Sequence, residues 1–199
     1  MIRILIRILL ILKTLGDAFP YKTPSDFKLS ISDWQKLKPG DVIGVHRRFK
    51  TKLLRGITIY DHYGIYAGNM EVIHLSNGRN DFFGGEVCVR QDPFYMFKGD
   101  ASEVFVVDFD CFNKYIENLS PLEKSQRLPH DVVRKILGQT YHSYSPEETL
   151  RRAKSKLGKK GYNLFFHNCE HFALWCKTGL CESRQIERIL EVKLPTAGD

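Results

Sequence analysis

The chain has 199 residues and a mass of 23.1 kDa, enough for one ordinary domain with its own hydrophobic core. With 43% hydrophobic and 27% charged residues it is neither a disordered nor a collagen-like sequence, and no apolar run is long enough to span a bilayer as a helix. The net charge of +7 suits an anionic partner, a lipid surface or a nucleic acid, without choosing between them.

In chain order, residues 1–15 (MIRILIRILLILKTL) come first. At 100° per residue Arg3, Arg7 and Thr14 fall on one side of a helix, and Ile2, Leu5, Ile6, Leu9 and Leu12 on the other, with Lys13 toward the border of the apolar side. This is the pattern of an amphipathic helix lying in a membrane interface. A signal peptide is the rival reading, but only residues 8–12 are uncharged between Arg7 and Lys13. A core-packing helix is the third. Residues 16–36 read as a linker, with Trp34 as an anchor and prolines at 20 and 24. Pro39-Gly40-Asp41 makes a turn into a strand at 41–46, followed by the basic stretch Arg47, Arg48, Lys50, Lys52 and Arg55. Strands are expected at 57–60 and 62–67, then, after a glycine-containing turn, at 71–75, and again at 104–109. Short helices are expected at 112–119 and 129–138. Ser145-Pro146-Glu147-Glu148 has the form of a capping box opening a helix to about Leu157, stopped by Gly158. A further helix runs from Asn168 to Thr178 with Gly179 as its stop, and residues 183–192 have helical periodicity. Strands early and helices late give an α+β class, an antiparallel sheet packed with helices.

The chemistry concentrates at Asn168-Cys169-Glu170-His171-Phe172. Cys169 falls in the first turn of a helix, where unpaired N–H groups favour an anion, lower a thiol pKa and stabilise an oxyanion. Of itself a lone cysteine is more often a buried structural residue. Its potential companions are His62 and His74, 12 residues apart across one hairpin. An odd loop such as Ala67-Gly68-Asn69 places both on one face, and a two-residue loop places them on opposite faces. Two imidazoles on one face serve a nucleophile as base and orienter. The plain alternative is one core and one surface histidine. The five cysteines are odd in number, irregularly spaced and without a CxxC pair, which fits a reducing compartment. Neither His-x11-His nor Cys-x-His is a zinc-finger spacing, so no metal is expected. Cys176, at i+7 from Cys169, reads as core. His46 reads as part of the basic loop, and His130 and His142 as residues of polar turns. The basic runs 47–55 and 151–160 read either as solvated faces or as contacts to anionic lipid headgroups, the latter preferred because cations flank Leu53-Leu54 in the first, and they lack the interleaved aromatics of an RNA motif.

HYGIYAG (62–68), VIHL (72–75) and NCEHF (168–172), in that order after Lys38-Pro39-Gly40-Asp41-Val42-Ile43, resemble the lecithin:retinol acyltransferase domain family. That family includes the HRAS-like suppressor phospholipase/acyltransferases. The resemblance covers about 37–179 and is sharp at its ends. It implies a circularly permuted NlpC/P60, papain-like fold and a Cys-His-His triad, with Cys169 as nucleophile, His62 as general base and His74 as the orienting member. It adds Tyr162 and Tyr63 as lesser candidates, and places Glu170 and His171 in the motif as helix-building residues. It implies an enzyme that takes an acyl group from a glycerophospholipid through a thioester and passes it to water, an amine or an alcohol. No organic cofactor is implied. The expected division is a membrane-associating helix at 1–15, a linker at 16–36, a catalytic domain at 37–180 and a C-terminal helix and tail at 181–199. The expected setting is cytoplasmic and membrane-associated, at an anionic surface, with no nucleic-acid partner. Many members end in a hydrophobic anchor; this chain ends in KLPTAGD, so the N-terminal helix is expected to substitute. Two alternatives belong beside this reading: a cysteine peptidase or amidase of the wider superfamily, and a non-enzymatic membrane scaffold.

Overall fold

The computed structural model describes residues 22–48, 58–78, 87–128, 132–133, 136, 141–160 and 168–180. The expected helices at 1–15 and 183–192, most of the basic stretch after Arg48, and Tyr162, His130 and His167 lie outside the described residues. Six strands form one antiparallel sheet: β1 (Lys28–Ile31), β2 (Val42–Arg48), β3 (Thr58–Gly68), β4 (Glu71–Ser76), β5 (Cys88–Pro93) and β6 (Val104–Val107). Their spatial order is β1-β6-β2-β3-β4-β5. The helices are α1 (Phe94–Lys98), α2 (Phe109–Glu117), α3 (Pro121–Arg127), α4 (Pro146–Lys154) and α5 (Asn168–Thr178).

Side-chain alternation along the strands divides the core in two. Tyr63, Ile65, Ile73, Leu75, Val89 and Phe105 face α5, meeting Phe172, Ala173 and Cys176. Ile43, Val45, Tyr66 and Val72 face the other way and meet Phe94 and Phe97 of α1. The sheet is therefore the middle layer, and a single strand such as β3 serves both cores. Cys176 is fully buried, as its spacing implied.

Local chemistry explains several boundaries. β6 stops at Val107, because the Asp108 carboxylate accepts from Cys111 N at 2.8 Å and starts α2 three residues before the expected position. Ser145 caps α4 through Glu148 N at 3.2 Å, with Pro146 at its first position. The Glu148 carboxylate is drawn instead to Arg151, at 2.6 and 2.7 Å, rather than closing the capping box. Gly179 adopts φ +71 at the end of α5, a conformation that suits glycine. Residues 28–31, inside the segment read as linker, form an edge strand paired from Lys28↔Val107 to Ile31↔Val104.

Candidate active site

The site is built on the β3–β4 hairpin. Its turn is Asn69-Met70, both with positive φ (49° and 57°), a two-residue turn of left-handed residues. Such a turn would put His62 and His74 on opposite faces. A register shift between Tyr66 and Gly68 inserts one residue into β3, and the pairing becomes Gly64↔His74 and Tyr66↔Val72. The bulge restores the parity that an odd loop would have given. His62 and His74 are diagonal neighbours on the α1 face, a separation that long or aromatic side chains bridge.

They do bridge it: His62 Nε2 lies 2.8 Å from His74 Nδ1. His74 Nε2 lies 3.1 Å from Oδ2 of Asp92, at the end of β5. Phe97 of α1 roofs the pair, with its ring centroid 5.2 Å from each imidazole. Gly64, between the histidines on that face, leaves room for this closeness; a Cβ there would lie 3.0 Å from His74 Cβ and 3.1 Å from Phe97 Cε2. Arg47 of β2 holds the C-terminus of α1, donating to the carbonyls of Phe97 at 2.6 Å and Lys98 at 3.1 Å. Its charge adds to burial in keeping both histidines neutral. Burial, then the neighbouring His74 and Arg47, depress the His62 pKa well below its usual 6.5. Burial also depresses His74, against the hydrogen bond and charge of Asp92.

Cys169 arrives from the other side. It lies in the first turn of α5, buried, with its thiol donating to the Asp61 carbonyl at 3.8 Å. The Tyr63 N–H donates toward the sulfur. These two backbone groups flank His62, so the sulfur sits against β3 beside that residue. The Asp61 carboxylate is engaged on the α5 face by Lys28 and His46, at 2.6 Å each. Burial raises its pKa, but the hydrogen bond from His46 and the Lys28 charge outweigh that and leave it lowered.

The helix start does not yield a resting thiolate. Burial pushes the Cys169 thiol up to about 12, opposed by the Tyr63, Glu170 and Cys169 amides and reinforced by the Glu170 charge. Desolvation of a small anion exceeds the pull of a few N–H dipoles. At rest the thiol and both imidazoles are therefore neutral. Tyr63, a lesser candidate from the sequence, belongs to the core on the α5 face, opposite His62. Asp92 went unnoticed in the sequence. It precedes Pro93, and its alternation with Arg90 was the available signal. Among the described residues no group of three or more His, Cys, Asp or Glu is arranged to hold a metal ion. None of the described helices is long and apolar enough to cross a membrane.

A six-stranded antiparallel sheet, a hydrogen-bonded histidine pair on the β3–β4 hairpin and a helix-start cysteine against β3 define an α+β domain. The lecithin retinol acyltransferase family profile matches residues 35–182, and the chain belongs to that family. Mouse lecithin retinol acyltransferase is 42% identical over 159 residues, covering 76% of this chain and 59% of the relative. Human phospholipase A and acyltransferase 4 is 28% identical over 175 residues, covering 83% and 85%. Arabidopsis thaliana protein LEAD-SENSITIVE 1 is 31% identical over 166 residues, covering 74% and 60%. The chain spans about three-fifths of the length of the lecithin retinol acyltransferases it matches.

Proposed function

We propose that this chain is a thiol acyltransferase and phospholipase A acting on glycerophospholipids through a Cys169 acyl-thioester. The observation that carries the reading is the 2.8 Å His62–His74 bond beside the strand backbone that receives Cys169. The names of the mouse and human relatives, an acyltransferase and a phospholipase A/acyltransferase, support the same chemistry.

His62 removes the Cys169 proton as sulfur attacks the ester carbonyl, because a thiol held near 12 ionises only as it bonds to carbon. The amides of Cys169 and Glu170 at the start of α5 donate to the tetrahedral oxyanion. Collapse breaks the ester C–O bond, and the protonated His62 returns its proton to the departing lysophospholipid oxygen. The acyl acceptor then attacks the thioester while His62 takes the acceptor's proton, and Cys169 leaves as thiol. Water as acceptor makes the net reaction a phospholipase, an amine an N-acyltransferase, and an alcohol an esterification. His74 orients His62 throughout. The fold in this reading is the circularly permuted NlpC/P60 arrangement, with the catalytic domain at 37–180. Residues 1–15 place it at an anionic membrane surface on the cytoplasmic side, where its substrate is confined.

The test is incubation with a defined phosphatidylcholine, followed by intact-mass measurement and lipid analysis. The wild type gains one acyl mass and releases lysophospholipid; C169A does neither while keeping its fold, and C176A keeps activity. Turnover by C169A at the wild-type rate would overturn the mechanism, and cleavage of a peptide amide without fatty-acid release would move the chain to the amidases.

A further inference from the structure

We infer that Asp92 is a positioning residue that sets the tautomers of both histidines, so that the ring nitrogen of His62 left for Cys169 is a proton acceptor. The inference rests on the proposed thiol mechanism but is read out independently of it.

The placement comes from the sheet. β5 pairs with β4 in the register Val72↔Asp92 and His74↔Arg90. Asp92 is therefore diagonal to His74 on the α1 face, and its Oδ2 lies 3.1 Å from His74 Nε2. An ionised carboxylate only accepts hydrogen bonds, so Nε2 of His74 carries the hydrogen. Nδ1 of that neutral ring is then an acceptor. It faces His62 Nε2 at 2.8 Å, which must donate. The hydrogen of neutral His62 is thereby fixed on Nε2, and Nδ1 keeps the lone pair. Without the carboxylate, the same His62–His74 bond forms equally well with both tautomers reversed. In that state Nδ1 of His62 carries a hydrogen and is useless as a base.

The charges around the pair agree with this assignment. The hydrogen bond from His74 holds the Asp92 carboxyl below its usual range, with Arg90 assisting and burial opposing. Arg47 from β2 and Arg90 from β5 disfavour protonation of His74, and His74 and Arg47 that of His62, while α1 packs the uncharged Phe97 on both rings. Asp92 is the anion that faces His74. When the Cys169 S–H bond breaks and the proton passes to Nδ1 of His62, the electron pair stays on sulfur and forms the new S–C bond. The positive charge on His62 is stabilised through His74 by Asp92, which takes no proton. The role is that of an acid that orients a catalytic histidine, acting here through one further imidazole.

The experiment pairs kinetics with ¹⁵N NMR of the histidine rings in the resting, full-length protein. In the wild type both histidines should show a protonated Nε2 and a bare Nδ1. D92N, whose amide N–H₂ can turn toward His74, should move the hydrogens to Nδ1 and, with the base lost, lower kcat by about 10²–10⁴-fold with KM little changed. The acid limb of its kcat/KM profile should move to lower pH, because the stabilising anion is gone. D92E should restore part of kcat and the wild-type tautomers. A wild-type spectrum with a bare Nε2 on His62 would overturn the inference, whether or not D92N folds. So would D92N with wild-type kcat and unchanged ring shifts. If the wild type forms no acyl adduct, the thioester reading fails, while the tautomer measurement still decides the role of Asp92.

Discussion

Replacing Gly64 by alanine should damage the site while leaving every polar residue in place. A Cβ at this position would lie 2.6 Å from Val72 Cγ1, 3.0 Å from His74 Cβ and 3.1 Å from Phe97 Cε2. Ordinary contact begins near 3.4 Å, so β4 must retreat from β3 by 3.4 − 2.6 = 0.8 Å at Val72. Val72 and His74 share that strand, and the retreat carries the imidazole with it. It can stretch the 2.8 Å His62–His74 separation to at most about 3.6 Å, out of hydrogen-bond range. Overpacking of this kind costs about 1–3 kcal/mol. For a chain of this size that corresponds to about 2–4 °C of Tm per kcal/mol. A freed His62 should retain part of the about 10²–10⁴-fold that a positioned base contributes, so kcat should fall by about 10- to 100-fold. KM should change little. The assay combines a urea or thermal melt with single-turnover formation of the acyl adduct. A G64A protein with wild-type Tm and wild-type rate would show that β3 and β4 are not held at this spacing, and the argument from close approach would fail.

The two histidines should separate in kinetics: H62A should lose about 10²–10⁴-fold in kcat, whereas H74Q, whose amide still accepts from His62, should lose less. Exchanged severities, with H74Q inactive and H62Q mild, would reverse their assignment as base and orienter. Stability should also depend on pH through the buried neutral groups. His62 and His74 have folded pKa values below 6.5, so the unfolded chain binds more protons as pH falls past 6.5, and Tm should decline on that side. Cys169 and Cys176, raised from 9.0 to about 12, lose stabilisation as the unfolded thiols ionise, so Tm should decline again above about pH 9. Thermal melts across pH should show this plateau, with a shallower alkaline limb in C169A; a C169A melt with an unchanged alkaline limb would contradict the buried, protonated thiol.

Much of this arrangement follows from local sequence. Apolar, β-branched runs mark β2, β3, β4 and β6, and Asn168 and Gly179 bound α5, so Cys169 was legible as a helix-start thiol. The shared face of His62 and His74 was legible as a question of parity. The answer came from a bulge at 66–68 compensating a two-residue turn, because strand register depends on the partner strand and not on loop length alone. β1 and β5 were not legible. Both are edge strands, and Leu29 of β1 is 55% exposed, so the alternation of buried and exposed residues that marks an inner strand is weak. With β5 went Asp92, which reaches His74 only through cross-strand register. The state of the thiol was likewise beyond the sequence. The dipoles of a helix start are local and can be read from NCEHF. The desolvation that overrides them comes from β3 and the core closing over Cys169, and the tertiary structure alone sets that.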